Sequence, residues 1–151
     1  MTVRRGRGDA GQVGGIEVLP FGFLVFVSTT LLLVNVWAVI DTKFAVNAAS
    51  REAALAYVEA DSEEEATLAA HERATETLVA YGRGGTRSSI DTPVLAAPFG
   101  RCSRVIITVA YELPVIAIPF LGGLGSLAPV ESSHSAIVDP FRDGLDGPAG
   151  C

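Results

Sequence analysis

The chain is 151 residues long, 49% hydrophobic and 19% charged, with a net charge of -6 and a mean hydropathy of +0.40. So much apolar content with so little charge excludes a disordered acidic tail and a basic nucleic-acid binder. The apolar residues also gather near one end, unlike those of an ordinary soluble domain.

From Val18 to Ile40 the sequence VLPFGFLVFVSTTLLLVNVWAVI runs for 23 residues without Asp, Glu, Lys, Arg or His. At about 1.5 Å per helical residue it reaches roughly 35 Å, enough to cross a hydrocarbon core of about 30 Å with some tilt. A buried core helix is the competing reading, but the 111 residues after Ile40 are too few to surround it on all sides. A cleavable secretory signal has an apolar region of about 7 to 15 residues ending at a small-x-small site. Here the run continues to Trp37 and Ile40, so the sequence predicts a retained span with Trp37 at the distal interface.

Arg4, Arg5 and Arg7 precede the span, whereas Asp41 and Lys43 follow it. This bias places the N-terminus in the cytoplasm and the remainder outside. From Asp41 onward, 15 acidic residues against 8 basic give -7, an acidic exported part with no pull toward nucleic acid.

Glu17 at the inner lip, with Pro20 three residues later, is unusual in a passive anchor. A carboxylate there is costly unless it reaches headgroups, is protonated or meets a positive partner. Two readings follow: a snorkelling lip residue that complements the helix dipole, or a charge used for pairing during assembly.

A short basic leader, glycines before an apolar run and a Glu at its start (GQVGGIEVLPFGFLVFV) resemble the class III leader of type IV pilins and pseudopilins. The chain resembles the TadE-like family of tight-adherence (Tad/Flp) pilus assembly proteins. The likeness continues in NAASREAALAYVEA, where Ala49, Arg51, Glu52, Ala53 and Ala56 match an alanine-rich continuation, and in VAYELPV and HSAIVDPFR. It implies a prepilin peptidase cut after a Gly and a Glu, fifth in the mature chain, pairing with a neighbour's new N-terminal amine. In this sequence a cut after Gly11 places Glu17 sixth, and cuts after Gly14 or Gly15 place it third or second. The register departs from the family's pattern.

Beyond the span, DTKFAVNAASREAALAYVEA lacks Gly and Pro, so the helix is expected to continue to about Ala60. Ser62 and Glu65 form a capping box for a second helix, with Glu63 and Glu64 adding negative charge to its first turn. That helix is read to Tyr81, with Ala66, Ala70, Ala74, Leu78 and Tyr81 on one side and Gly82 as its stop. It packs on the first helix or on a sheet. GRGGTRSSIDTP, Gly82 to Pro93, reads as linker, and without a Gly-Lys-Ser/Thr ending it holds no nucleotide.

Arg104 to Glu112 alternates, with Val105, Ile107, Val109 and Tyr111 on one face, as in a half-buried strand. Ala128 to Val138 alternates more loosely. Between them, LPVIAIPFLGGLGSLAPV is 18 residues without charge, long enough to suggest a second span. Pro114, Pro119 and Pro129 with Gly122, Gly123 and Gly125 argue for strand-turn-strand instead. Ile116, Ile118, Phe120 and Leu121 are the candidate docking surface for lipid headgroups or a partner.

Catalysis has little material. His71 and His134 are far apart, and Ser132, Ser133 and Ser135 lack a nucleophile frame. With Cys102 and Cys151 the histidines have no zinc-ligand spacing, so no metal or other cofactor is expected. The two cysteines fall on the outside, where a disulfide would contribute on the order of 4 kcal/mol. An intermolecular bridge or two free thiols are the alternatives.

The fold expectation is α+β. It comprises a basic leader (1–17), a transmembrane helix (18–40), extracytoplasmic helices (41–81), a linker (82–101), a small antiparallel sheet of about three strands (102–140) and a flexible tail (141–151). The functional expectation is a non-catalytic, minor pilin-like assembly component in a single-pass membrane setting. Its partners would be lipid, other pilin-like subunits and secretion-platform proteins. A membrane-anchored extracytoplasmic sensor or accessory binding module is the alternative.

Overall fold

The structure, a computed structural model, describes residues 18–91, 93–95, 98–114, 129–148 and 150–151. Helix α1 runs from Val18 to Glu59, 42 residues or about 63 Å. Its helix breakers, Pro20 and Gly22, lie in the first described turns, and the rest is rich in residues that tolerate helix.

Ala60, Asp61 and Ser62 separate α1 from α2, Glu63–Ala80. Ser62 is extended, and its Oγ accepts the Glu65 N–H at 3.3 Å, as the capping box predicts. Gly82 ends α2 in the left-handed conformation, φ +69. The N–H of Gly82 reaches the Val79 carbonyl at 2.9 Å, and that of Arg83 reaches the Leu78 carbonyl at 2.8 Å. These two bonds are a Schellman closure, which only a residue tolerant of positive φ permits cheaply.

The sheet has four strands: β1 Ser88–Ile90, β2 Val94–Leu95, β3 Arg104–Tyr111 and β4 Val130–Ile137. β3 is central. β4 pairs antiparallel along its whole length, from Arg104↔Ile137 to Tyr111↔Val130. β1 and β2 share the other edge, opposite Val109–Tyr111 and Val105–Ile106 respectively. The helices cover one face of this sheet. Val105, Ile107, Val109 and Tyr111 are buried there, which is the alternation read from the sequence.

One core joins the layers: α1 contributes Ala45, Val46, Ala49, Ala53, Ala54 and Tyr57, and α2 contributes Ala66, Ala70, Ala74 and Leu78. Alanine buries little area but lets two helices approach closely, so cohesion rests on the few large members, Tyr57, Leu78 and the β3 side chains. α2 packs chiefly on α1.

Three expectations need correction. The linker 82–101 carries β1 and β2, of three and two residues, so the sheet has four strands rather than about three. Strands so short have no readable period, and pairing with β3 creates them. Tyr81 is the C-cap and half-exposed instead of closing the apolar stripe, because the helix stops one residue earlier. The tail is tied down by the bonds described below.

Candidate functional site

The exposed half of α1 is the most distinctive surface. Its most apolar stretch has a mean hydropathy of 2.3 and no buried residue, so this helix is long and apolar enough to cross a membrane. The surrounding fold leaves it bare, unlike a core helix. Phe23, Phe26, Leu33, Trp37, Ile40 and Phe44 follow one another at three- and four-residue steps, with Thr30 completing the series. All six are exposed, Trp37 at 72% and Phe44 at 64%. Such spacing draws a single seam along the helix. Phe44 carries it past the charged pair Asp41 and Lys43.

Polar side chains in this stretch bond within their own helix. Thr30 Oγ1 donates to the Phe26 carbonyl and Asn35 Nδ2 to that of Leu31, both at 2.9 Å. Thr42 Oγ1 donates to the Ala38 carbonyl at 2.7 Å. Back-bonding of this kind lets hydroxyls and amides sit where water is scarce.

The outer half of α1 is clamped at both ends. Near the exit from the apolar stretch, Arg83 Nη2 meets Asp41 Oδ2 at 2.5 Å. The same guanidinium lies 5.5 Å from the Tyr111 ring centroid. Lys43 Nζ donates to the Glu131 carbonyl, and Ser132 Oγ donates to Asn47 Oδ1 at 3.3 Å. At the far end Arg142 Nη1 donates to the Val58 carbonyl at 2.5 Å, and Nη2 donates to the Glu59 carbonyl and, at 2.8 Å, to Asp61 Oδ1. α1 has no basic residue in its last turn, so Arg142 supplies from the tail the cation that the carbonyl end of a helix favours.

Cys102 and Cys151 are joined, with the sulfurs 2.07 Å apart, and the Arg101 N–H holds the Asp146 carbonyl at 2.7 Å. Cys102 has φ +65, a left-handed conformation that non-glycine residues seldom adopt. These contacts, with Arg142, correct the expectation of a flexible tail.

Sequence reasoning missed Arg83 and Arg142. Both act across more than 40 residues, and no local pattern encodes that, although Arg142 closes the HSAIVDPFR stretch. Pro20 is exposed in the first described turn of α1. Glu17 and the docking candidates Ile116, Ile118, Phe120 and Leu121 lie outside the described residues.

Catalytic geometry is sparse among the described residues. His71 is exposed on α2 and His134 half-buried on β4. No group of three His, Cys, Asp or Glu that could hold a metal ion occurs among them. A cavity of about 120 Å³ lies between α2 and the sheet, lined by Thr67, His71, Asp91 and apolar neighbours. Its hydroxyl, Thr67 Oγ1, is committed to the Glu63 carbonyl at 2.9 Å.

Tyr57 is fully buried, and its hydroxyl has no partner among the described residues. Its ring meets Phe99 edge-on, centroids 5.7 Å apart. Burial, reinforced by the negative charge of Glu63, pushes its phenol above the usual 10.0. Compared with protein-family models, curated proteins and solved structures, the chain matches none.

Proposed function

We propose that this protein is a non-catalytic, membrane-anchored assembly component of a Tad-type pilus or related secretion machine, built in the manner of a minor pilin or pseudopilin. The observation that carries the reading is the split personality of α1. One unbroken helix is apolar and has no buried residue over Val18–Ile40, then is clamped into a small α+β domain from Asp41 to Glu59. Such a rod with a headpiece anchors a subunit in lipid and offers it to neighbours in a defined orientation.

In this reading the basic leader is cytoplasmic and the domain extracytoplasmic. The seam from Phe23 to Phe44 packs against pilin-like subunits or platform proteins, and Glu17 and Pro20 lie at the inner lip where subunits pair. Nucleotides, nucleic acids and cofactors have no role. The resemblance of the leader and of NAASREAALAYVEA supports the family assignment.

Mass spectrometry of the mature N-terminus, on protein extracted from the native membrane, tests it. Removal of the residues up to Gly11, Gly14 or Gly15 is expected. An intact Met1 or Thr2 at the terminus overturns the pilin-like reading.

A further inference from the structure

We propose that the outer domain rests on the phospholipid surface, through an apron made of the turn after α2 and the adjoining end of the sheet. The proposal rests on the reading that Val18–Ile40 spans the bilayer. Two ties hold the apron at the height where α1 leaves its apolar stretch: Arg83 to Asp41, and Lys43 to the Glu131 carbonyl. Tyr111, under the Arg83 guanidinium, pairs in register with Ser88 on one side and Val130 on the other. The start of β1, the end of β3 and the start of β4 therefore share this level.

The apron has the chemistry of an interfacial surface. Tyr81 is half-exposed, and an aromatic with a polar tip suits the headgroup layer. Arg87 is exposed and has no ion pair among the described residues, which leaves its guanidinium open to phosphate. Pro114 and Pro129 are exposed at the same end.

The opposite end is unlike it. Around the clamp of Arg142 stand Glu59, Asp61, Glu63, Glu64, Glu65 and Asp139, outnumbering the cations Arg142 and Arg104 at this end. Val58 and Glu59 lie about 27 Å along the helix from Asp41. Anionic headgroups repel that acidic tip, whereas at the apron Lys43, Arg83 and Arg87 balance Asp41, Glu112 and Glu131. Charge and height agree on which end lies on lipid.

The test uses full-length protein in liposomes, with and without phosphatidylcholine brominated near the headgroup, read by tryptophan fluorescence. The parent reports through Trp37. Two variants carry Trp37→Phe with either Tyr81→Trp, on the apron, or Phe141→Trp, beside the acidic tip. Loss of emission from Trp37 in the parent and from the Tyr81→Trp variant, with none from the Phe141→Trp variant, is the expected pattern. A Tyr81→Trp variant as bright in brominated as in plain lipid, while Trp37 is quenched, overturns the apron alone. An unquenched parent overturns the span and the apron together. Equal quenching at positions 81 and 141 also overturns the proposal, because the domain then has no preferred end.

Discussion

The two halves of α1 share one backbone and almost nothing else. Before Ile40 no residue is buried, and Phe, Trp and most Leu and Val side chains are exposed; after Asp41 the buried positions are Thr42, Ala45, Val46, Ala49, Ser50, Ala53, Ala54 and Tyr57. The oilier half is the one left out of the core, so burial in this protein follows size and fit more than hydrophobicity. Small side chains admit a second helix at short distance. Bulky ones, unmatched by a partner among the described residues, suit lipid or another subunit.

The comparison breaks most sharply with charge. Leu32→Arg puts a guanidinium near the middle of the apolar half, at a cost of about 3 kcal/mol for insertion. The membrane-pelleted fraction should fall strongly. Leu55→Arg, at a partly exposed position of the outer half, should leave pelleting unchanged and shift stability by less than about 0.5 kcal/mol. Equal behaviour of the two variants would mean that the halves do not face different solvents.

Added bulk tests the same contrast from the other side. Ala53 is fully buried, and Ala53→Leu should destabilise the outer domain by about 1 to 3 kcal/mol through overpacking. Val34→Leu, in the bare half, should leave it unchanged. Denaturant titration in detergent micelles, read by near-ultraviolet circular dichroism, measures both.

How far the sequence foretold this arrangement depended on the range of the forces involved. The 23-residue charge-free run, the Ser62 cap, the Gly82 stop and the β3 alternation are local; the folded chain puts the run on one long helix and places the cap, the stop and the strand within a residue or two of their expected positions. β1 and β2 escaped because Ser88–Ile90 and Val94–Leu95 become strands only when β3 presents an edge. The clamps escaped because Arg83 and Arg142 look like ordinary surface cations until the fold brings Asp41 and the Glu59 carbonyl to them. Of the candidate site, the apolar stretch of α1 was legible as a length without charge. Its seam was not singled out, because in an all-apolar run the period is hidden until exposure reveals it.

The Arg142 clamp sharpens the comparison more gently. Arg142→Ala removes the cation from the carbonyl end of α1 and should cost about 1 to 2 kcal/mol. Hydrogen exchange should quicken at Val58 to Ala60 and stay unchanged before Ile40. Arg142→Lys keeps the charge and loses the fork, so it should recover only part of the loss.

The smallest effect concerns the one large polar side chain buried by the outer half. Tyr57 keeps a hydroxyl with no partner among the described residues, so Tyr57→Phe should be neutral or stabilising by up to about 1 kcal/mol at neutral pH. The pH dependence separates this from simple repacking. Burial, with Glu63 adding to it, raises the folded-state pKa of the phenol above 10.0, so the unfolded chain loses this proton first. The stabilising term is then fully present below the ordinary value and is lost as pH climbs past it, because unfolding releases a proton there. Denaturation of the parent should therefore steepen with alkali relative to Tyr57→Phe. Parallel curves across that range would show that Tyr57 ionises as easily in the core as in the unfolded chain.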